Sequence, residues 1–212
     1  MKYPLSAMGT VPLLIFLILF RGDGVFAART LPKDIAPDVP AETSTLLDAH
    51  SAVYLEGTGK RDVLLIADTF CENSRKTYGL LKENMKYIRR LKVVLVSRYP
   101  MLGSDLVAAH VMRMHAQGKG GSALEQAFAF ETLRIEGFKA RRQAMNLAVQ
   151  TFQLQYGRDE TPDTLPELQL VTGNTKLAQD AGYSGTPHLI VGGRVLHGYS
   201  RAAIKILLGE DP

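Results

Sequence analysis

Cysteine occurs once in this chain, at Cys71, and its neighbours are those of a reactive sulfur. The stretch VLLIADTFCENSRKT, residues 63–77, opens with four consecutive apolar residues, Val63 to Ile66, that read as a buried strand. From Ser74 the apolar positions change period, and Tyr78, Leu81, Met85 and Ile88 are expected on one face of a helix spanning 74–90. Cys71 therefore stands where a strand hands over to a helix. A thiol there meets unsatisfied backbone N–H groups and the positive end of the helix dipole, so its thiolate is favoured. Arg75 and Lys76 add to that field, Glu72 opposes it, and Ser74 is placed to donate a hydrogen bond to the sulfur. The competing reading makes Cys71 a small buried hydrophobe without chemistry.

The elements that must hold this sulfur follow from the rest of the pattern. Ser51 to Leu55 reads as an outer strand, and Gly57-Thr58-Gly59-Lys60 as the turn leading to the central one. Val93 to Val96 is a further β-branched run, so strand, helix and strand make a βαβ unit. Residues 101–182 are mostly helical in pattern. Ser104 is expected to cap one helix, Ser122 with Glu125 forms a capping box for a second, and a third carries Phe138, Met145, Ala148, Phe152 and Tyr156 up to Gly157. After a loop at Pro162 and Pro166, a short helix from Asn174 to Ala181 ends at Gly182. His188 to Val191, Gly192-Gly193 and Arg194 to His197 read as a hairpin with a two-glycine turn, preceded by Gly185-Thr186-Pro187 and followed by a helix from Ala202 to Leu208. Proline at the start of a strand must turn its missing N–H away from the ladder, and X-Pro is the one bond where a cis peptide is inexpensive.

Composition bounds the partners. With 212 residues, 46% hydrophobic and 22% charged, the chain has the make-up of one globular domain. Lys2, the apolar block from Val11 to Phe20 and Val25-Phe26-Ala27 read as a signal peptide over residues 1–27. Ten apolar residues are fewer than the roughly 20 a membrane-spanning helix needs, so no stable insertion is expected after cleavage, with an uncleaved membrane anchor as the weaker alternative because Arg21 and Asp23 precede the cleavage site. Cleavage removes two positive charges and one negative, and the formal charge goes from +4 to +3. Residues 28–50, with Pro32, Pro37 and Pro40, read as a linker or arm that packs only near Leu46 and Leu47, and 51–212 as the folded domain. The basic clusters Arg89-Arg90-Lys92 and Lys139-Arg141-Arg142 lack the interleaved aromatics of a nucleic-acid platform and read as solvated helix faces. His110, His115, Met112 and Met114 lack metal spacing, Gly118 to Gly121 lacks that of a phosphate loop, and no cofactor is implied. One cysteine cannot make an internal disulfide, which is unexpected for an exported protein.

This order of elements is that of an α/β thioredoxin-like fold with a helical insertion between the second core strand and the proline-led hairpin. The motif D-T-F-C-E-N-S, Asp68 to Ser74, resembles the active-site stretch of periplasmic thiol:disulfide isomerases and oxidoreductases of the Dsb type. The later G-Y-S-G-T-P, Gly182 to Pro187, is similar to that family's G-x-x-G-T-P loop, whose proline is cis and lies beside the active cysteine. The resemblance covers about residues 51–209 and implies that Cys71 is the attacking thiol. It also implies that Glu72 and Asn73 border the substrate, and that Thr186 and Pro187 present backbone to an extended segment of it. The chain departs from the family where Ser74 replaces the second cysteine of C-x-x-C and where Thr69-Phe70 precedes Cys71 without proline. An N-terminal dimerisation domain has no room here.

In disulfide exchange a thiolate attacks a sulfur, and the second cysteine of C-x-x-C resolves the mixed disulfide that results. Ser74 cannot do so. The resemblance therefore implies a monothiol, periplasmic exchange protein whose partners are unfolded or misoxidised secreted proteins, with glutathione or a redox partner protein releasing them. The alternative is a redox-silent thioredoxin-like chaperone or assembly factor of an envelope secretion or conjugation system. His188 and His197 raise acid–base work, but no matching nucleophile–base motif supports a hydrolase. His188 is expected to border the groove.

Overall fold

The computed structural model describes residues 35–36, 51–129 and 166–209, all within one unit spanning Leu31–Pro212. The expected signal peptide, Leu46 and Leu47, the helix of Phe138 to Tyr156 and the Lys139-Arg141-Arg142 cluster lie outside the described residues.

Among the described residues the strands are β1 (Ile35–Ala36), β2 (Val53–Glu56), β3 (Arg61–Ala67), β4 (Ile88–Leu95), β5 (His188–Val191) and β6 (Arg194–His197). They form one sheet in the order β1-β6-β5-β3-β4-β2, in which β3 and β4 are parallel and the other pairs antiparallel. The helices are α1 (Glu72–Glu83), α2 (Ser104–Ala116), α3 (Gly120–Ala129), α4 (Glu167–Asp180) and α5 (Arg201–Leu208), with a 3-10 turn at Pro100–Leu102.

The continuous apolar run of β3 is what a strand covered on both faces requires. Val63, Leu65 and Ala67 enter a core shared with α1, α2, α3 and α5, whereas Leu64 and Ile66 enter a second cluster with Val94, Ile190, Val195 and Tyr183. On the first face Tyr78 of α1 stacks on Phe128 of α3 with ring centroids 4.4 Å apart. Ser200 caps α5, its Oγ accepting from Ala203 N, and Gly209 at φ 79° closes that helix. The β5–β6 turn is the expected one, with Gly192 and Gly193 at φ 55° and 76°.

Several boundaries differ from the sequence expectation. α1 stops at Glu83, and Ile88 begins a strand, so Arg89, Arg90 and Lys92 lie on β4 and not on a helix face. β2 pairs with β4 and not with β3, so the turn after it passes beneath the start of β4. A Cβ on Gly57 would come within 2.2 Å of Ile88 O, and one on Gly59 within 1.9 Å of Tyr87 C, which explains the two glycines. Neither expected serine cap forms. α2 is capped by Gly103 at φ 87°, and α3 starts at Gly120, upstream of the Ser122–Glu125 box. The final insertion helix starts at Glu167, with Pro166 as its N-cap. Ile35–Ala36, inside the expected arm, adds an edge strand beside β6.

Candidate functional site

In a parallel pair the loops that follow the two strands share one rim. Residues 68–71 after β3 and 96–103 after β4 therefore lie side by side, and the register Ala67↔Leu95 brings them level. Asp68 fastens them together. Its Oδ1 accepts from Phe70 N at 2.7 Å and its Oδ2 from Arg98 N at 2.5 Å, while its own carbonyl accepts from Cys71 N at 3.1 Å. Asp68 is wholly buried, and burial pushes its carboxyl above the ordinary range against the opposing pull of those N–H donors.

Cys71 is the N-cap of α1, with φ −80° and ψ 120°. The Thr186–Pro187 bond is cis, and the Cys71 Sγ donates to the Thr186 carbonyl at 3.4 Å. Thus the helix start and the proline loop, 115 residues apart in sequence, meet at the sulfur. The residue retains 9% of its exposure.

Ser74 takes a different part from the expected one. Its Oγ accepts from Asp68 N at 3.4 Å and the residue is fully buried, so it anchors the loop in front of the helix rather than the sulfur. Glu72 and Asn73 are exposed on the first turn of α1, and Lys76 pairs with Glu72 at 2.8 Å. Pro187 is buried, with Thr186 half-buried beside it, and the Pro187 carbonyl accepts from Gly198 N at 2.8 Å.

Five further residues belong to this rim. Tyr99 is exposed, and its phenol is pushed up by burial first, then by the neighbouring acidic groups of Cys71 and Asp68. Arg98 donates through Nη2 to the Tyr183 carbonyl. His188 is 6% exposed, and its Nδ1 lies 2.9 Å from Nδ1 of the exposed His197. The Tyr183 ring covers His188 at a centroid distance of 4.8 Å. Burial first, then the charges of His197 and Arg98, push His188 down to about 4 against an opposing bond from the Gly185 backbone. The sequence signal for Arg98 and Tyr99 is their place at the carboxyl end of a strand parallel to β3, where α/β sheets gather their functional residues.

At the other end of the sheet a cleft of about 490 Å³ opens between Tyr54, Asp62, Arg90, Lys92 and Gly193. Among the described residues no group of three or more His, Cys, Asp or Glu is arranged to hold a metal, and no helix is long and apolar enough to cross a membrane.

This geometry is that of a thioredoxin-like α/β fold, and solved structures share it. The chain is similar to a periplasmic thioredoxin-like protein from Salmonella enterica serovar Typhimurium, with a TM-score of 0.56 at 16% identity, covering 79% of this chain and 96% of that one. It is similar to a thioredoxin-like oxidoreductase from Silicibacter pomeroyi DSS-3, with a TM-score of 0.54 at 21% identity over 78% and 95% of the two chains. It is also similar to the thiol-disulfide exchange protein alpha-DsbA2 from Wolbachia pipientis, with a TM-score of 0.51 at 16% identity over 79% and 90%. At these identities the shared property is the fold. No family model and no curated protein sequence matches the chain.

Proposed function

We propose that this chain is an exported monothiol disulfide-exchange protein acting through Cys71. The observation that carries this reading is the 3.4 Å contact between the Cys71 Sγ and the Thr186 carbonyl, which sets the sulfur beside a proline-led stretch of backbone. The solved neighbours include a periplasmic thioredoxin-like protein and a thiol-disulfide exchange protein, which supports both the chemistry and a periplasmic location reached by the signal peptide at 1–27.

In the proposed reaction the Cys71 thiolate attacks one sulfur of a substrate disulfide. A Cys71–substrate disulfide forms, the substrate S–S bond breaks, and the other substrate sulfur leaves as a thiolate. With serine at position 74 the second step needs a thiolate from elsewhere, either another cysteine of the substrate or glutathione. That thiolate attacks the substrate sulfur of the mixed disulfide and returns Cys71 as a thiolate, so no net oxidation occurs. This chemistry suits isomerisation of wrong disulfides in unfolded secreted proteins. Exposed Glu72 and Asn73 and the backbone at Thr186 and Pro187 would border the bound segment.

Refolding of scrambled ribonuclease in a glutathione buffer tests the proposal. Wild type should speed recovery of ribonuclease activity and Cys71→Ala should not. Equal acceleration by both chains would overturn the exchange reading in favour of a redox-silent binding module, an alternative favoured by the near-complete burial of Cys71.

A further inference from the structure

The hairpin beneath the proline loop carries a contact that the exchange chemistry does not itself use. His188 and His197 are cross-strand partners in the β5–β6 register, and their Nδ1 atoms face each other at 2.9 Å with the rings edge-on at 84°. A hydrogen bond between two imidazole nitrogens needs one N–H and one lone pair, so the pair holds together with a single shared proton. The next residues outward are Pro187 and Gly198, joined by the Gly198 N–H to the Pro187 carbonyl, and the residue before Pro187 supplies the carbonyl that meets the sulfur. The chain of contacts thus runs from solvent at His197, through His188, to Cys71.

The groups around the pair oppose a second proton. Arg98, from the segment after β4, sets its positive charge near His188, and Tyr183, from the loop after α4, covers the ring. Asp68, at the end of β3, binds the Arg98 backbone and acts on its charge, while the Gly185 backbone contributes the one bond that favours charged His188.

We propose that His188 and His197 are positioning residues of the Cys71 site, holding Thr186–Pro187 against the sulfur while they share one proton and letting that ledge loosen when both imidazoles are protonated. This rests on the exchange reading for its biological sense, but the ledge itself can be followed separately. Acid then weakens Cys71 reactivity through the hairpin, in addition to any direct effect on the thiol.

The test uses the full mature chain as wild type, His197→Gln and His197→Phe. Because position 197 is exposed, neither change empties the core. Three quantities are followed from pH 4 to 8: the imidazole nitrogen shifts, the Gly198 amide shift, and the rate of Cys71 with a pyridyl disulfide. In wild type the two rings should be opposite tautomers at neutral pH, and the Gly198 shift and the rate should break together where the rings titrate. His197→Phe should react about fivefold more slowly at pH 7, the value of roughly one hydrogen bond. His197→Gln, whose amide can donate to His188 Nδ1, should stay near the wild-type rate at pH 7 but lose the joint break of rate and Gly198 shift. A wild-type rate and profile in His197→Phe, or rings that titrate without moving the Gly198 shift, would overturn the proposal. If wild type reacts no faster than an unstructured cysteine peptide, the exchange reading fails, and the coupling of ring and Gly198 shifts still decides the positioning role.

Discussion

Asp62 and Asp68 stand near the two ends of β3 and occupy different media. Asp62 is exposed at the lower rim, where the hydrogen bond and charge of Arg89, with Arg90 at 3.9 Å, hold its carboxyl below the usual range. Asp68 is sealed at the upper rim, and burial drives its carboxyl the other way. Water screens the first pair, so its geometry contributes little to stability. Without water, every donor around the second becomes a fixed part of the loop that presents Cys71. Charged groups cluster at both rims, and at the upper one Asp68 is held by backbone donors beside Cys71.

Breaking the upper rim should therefore cost most. Asp68→Ala leaves the N–H groups of Phe70 and Arg98 without their acceptor and should destabilise the fold by about 3 kcal/mol in urea titration. Ser74→Ala, which removes the Oγ that accepts from Asp68 N, should cost about 1 kcal/mol and leave the rate of Cys71 exchange close to wild type. A large rate loss in Ser74→Ala with little change in stability would return Ser74 to the sulfur.

His188 sits at about 4 in the fold and near 6.5 when unfolded, so the unfolded chain binds a proton more readily between those values. Stability from this group is complete above pH 6.5 and is lost as pH falls towards 4, by up to about 3 kcal/mol. Asp68, raised by burial, opposes that loss at the acid end, because the folded chain binds its proton first. Denaturant midpoints at pH 7 and pH 4.5 should differ more in wild type than in His188→Gln, and an equal difference would refute the assignment. At the lower rim the expectation is smallest: Arg89→Ala should leave the melting temperature unchanged within error, since its pair with Asp62 is exposed.

What could be read from sequence was whatever local chemistry determines. The Gly192-Gly193 turn, the β-branched run of β3 and the placing of Cys71 before a helix are local facts, and each stands in the structure. Position 88 is different. Tyr78, Leu81, Met85 and Ile88 keep a helical spacing with no glycine or proline between 84 and 88, yet pairing with β3 makes Ile88 the first residue of a strand. The serine caps failed because Gly103 takes the N-cap of α2, making Ser104 its first residue, and because α3 already starts at Gly120. The Asp68, Arg98, Tyr183 and His188 cluster was hidden for another reason. Its members come from four separate segments and share no spacing, so only the sheet order brings them together.

The most direct measurement is the intact mass of the chain after incubation with glutathione disulfide. The account predicts one glutathione bound through Cys71, persisting after excess disulfide is removed because Ser74 cannot expel it, and released only when free thiol is added. No adduct on the folded chain, under conditions where an unstructured peptide carrying the same cysteine is modified, would contradict the account.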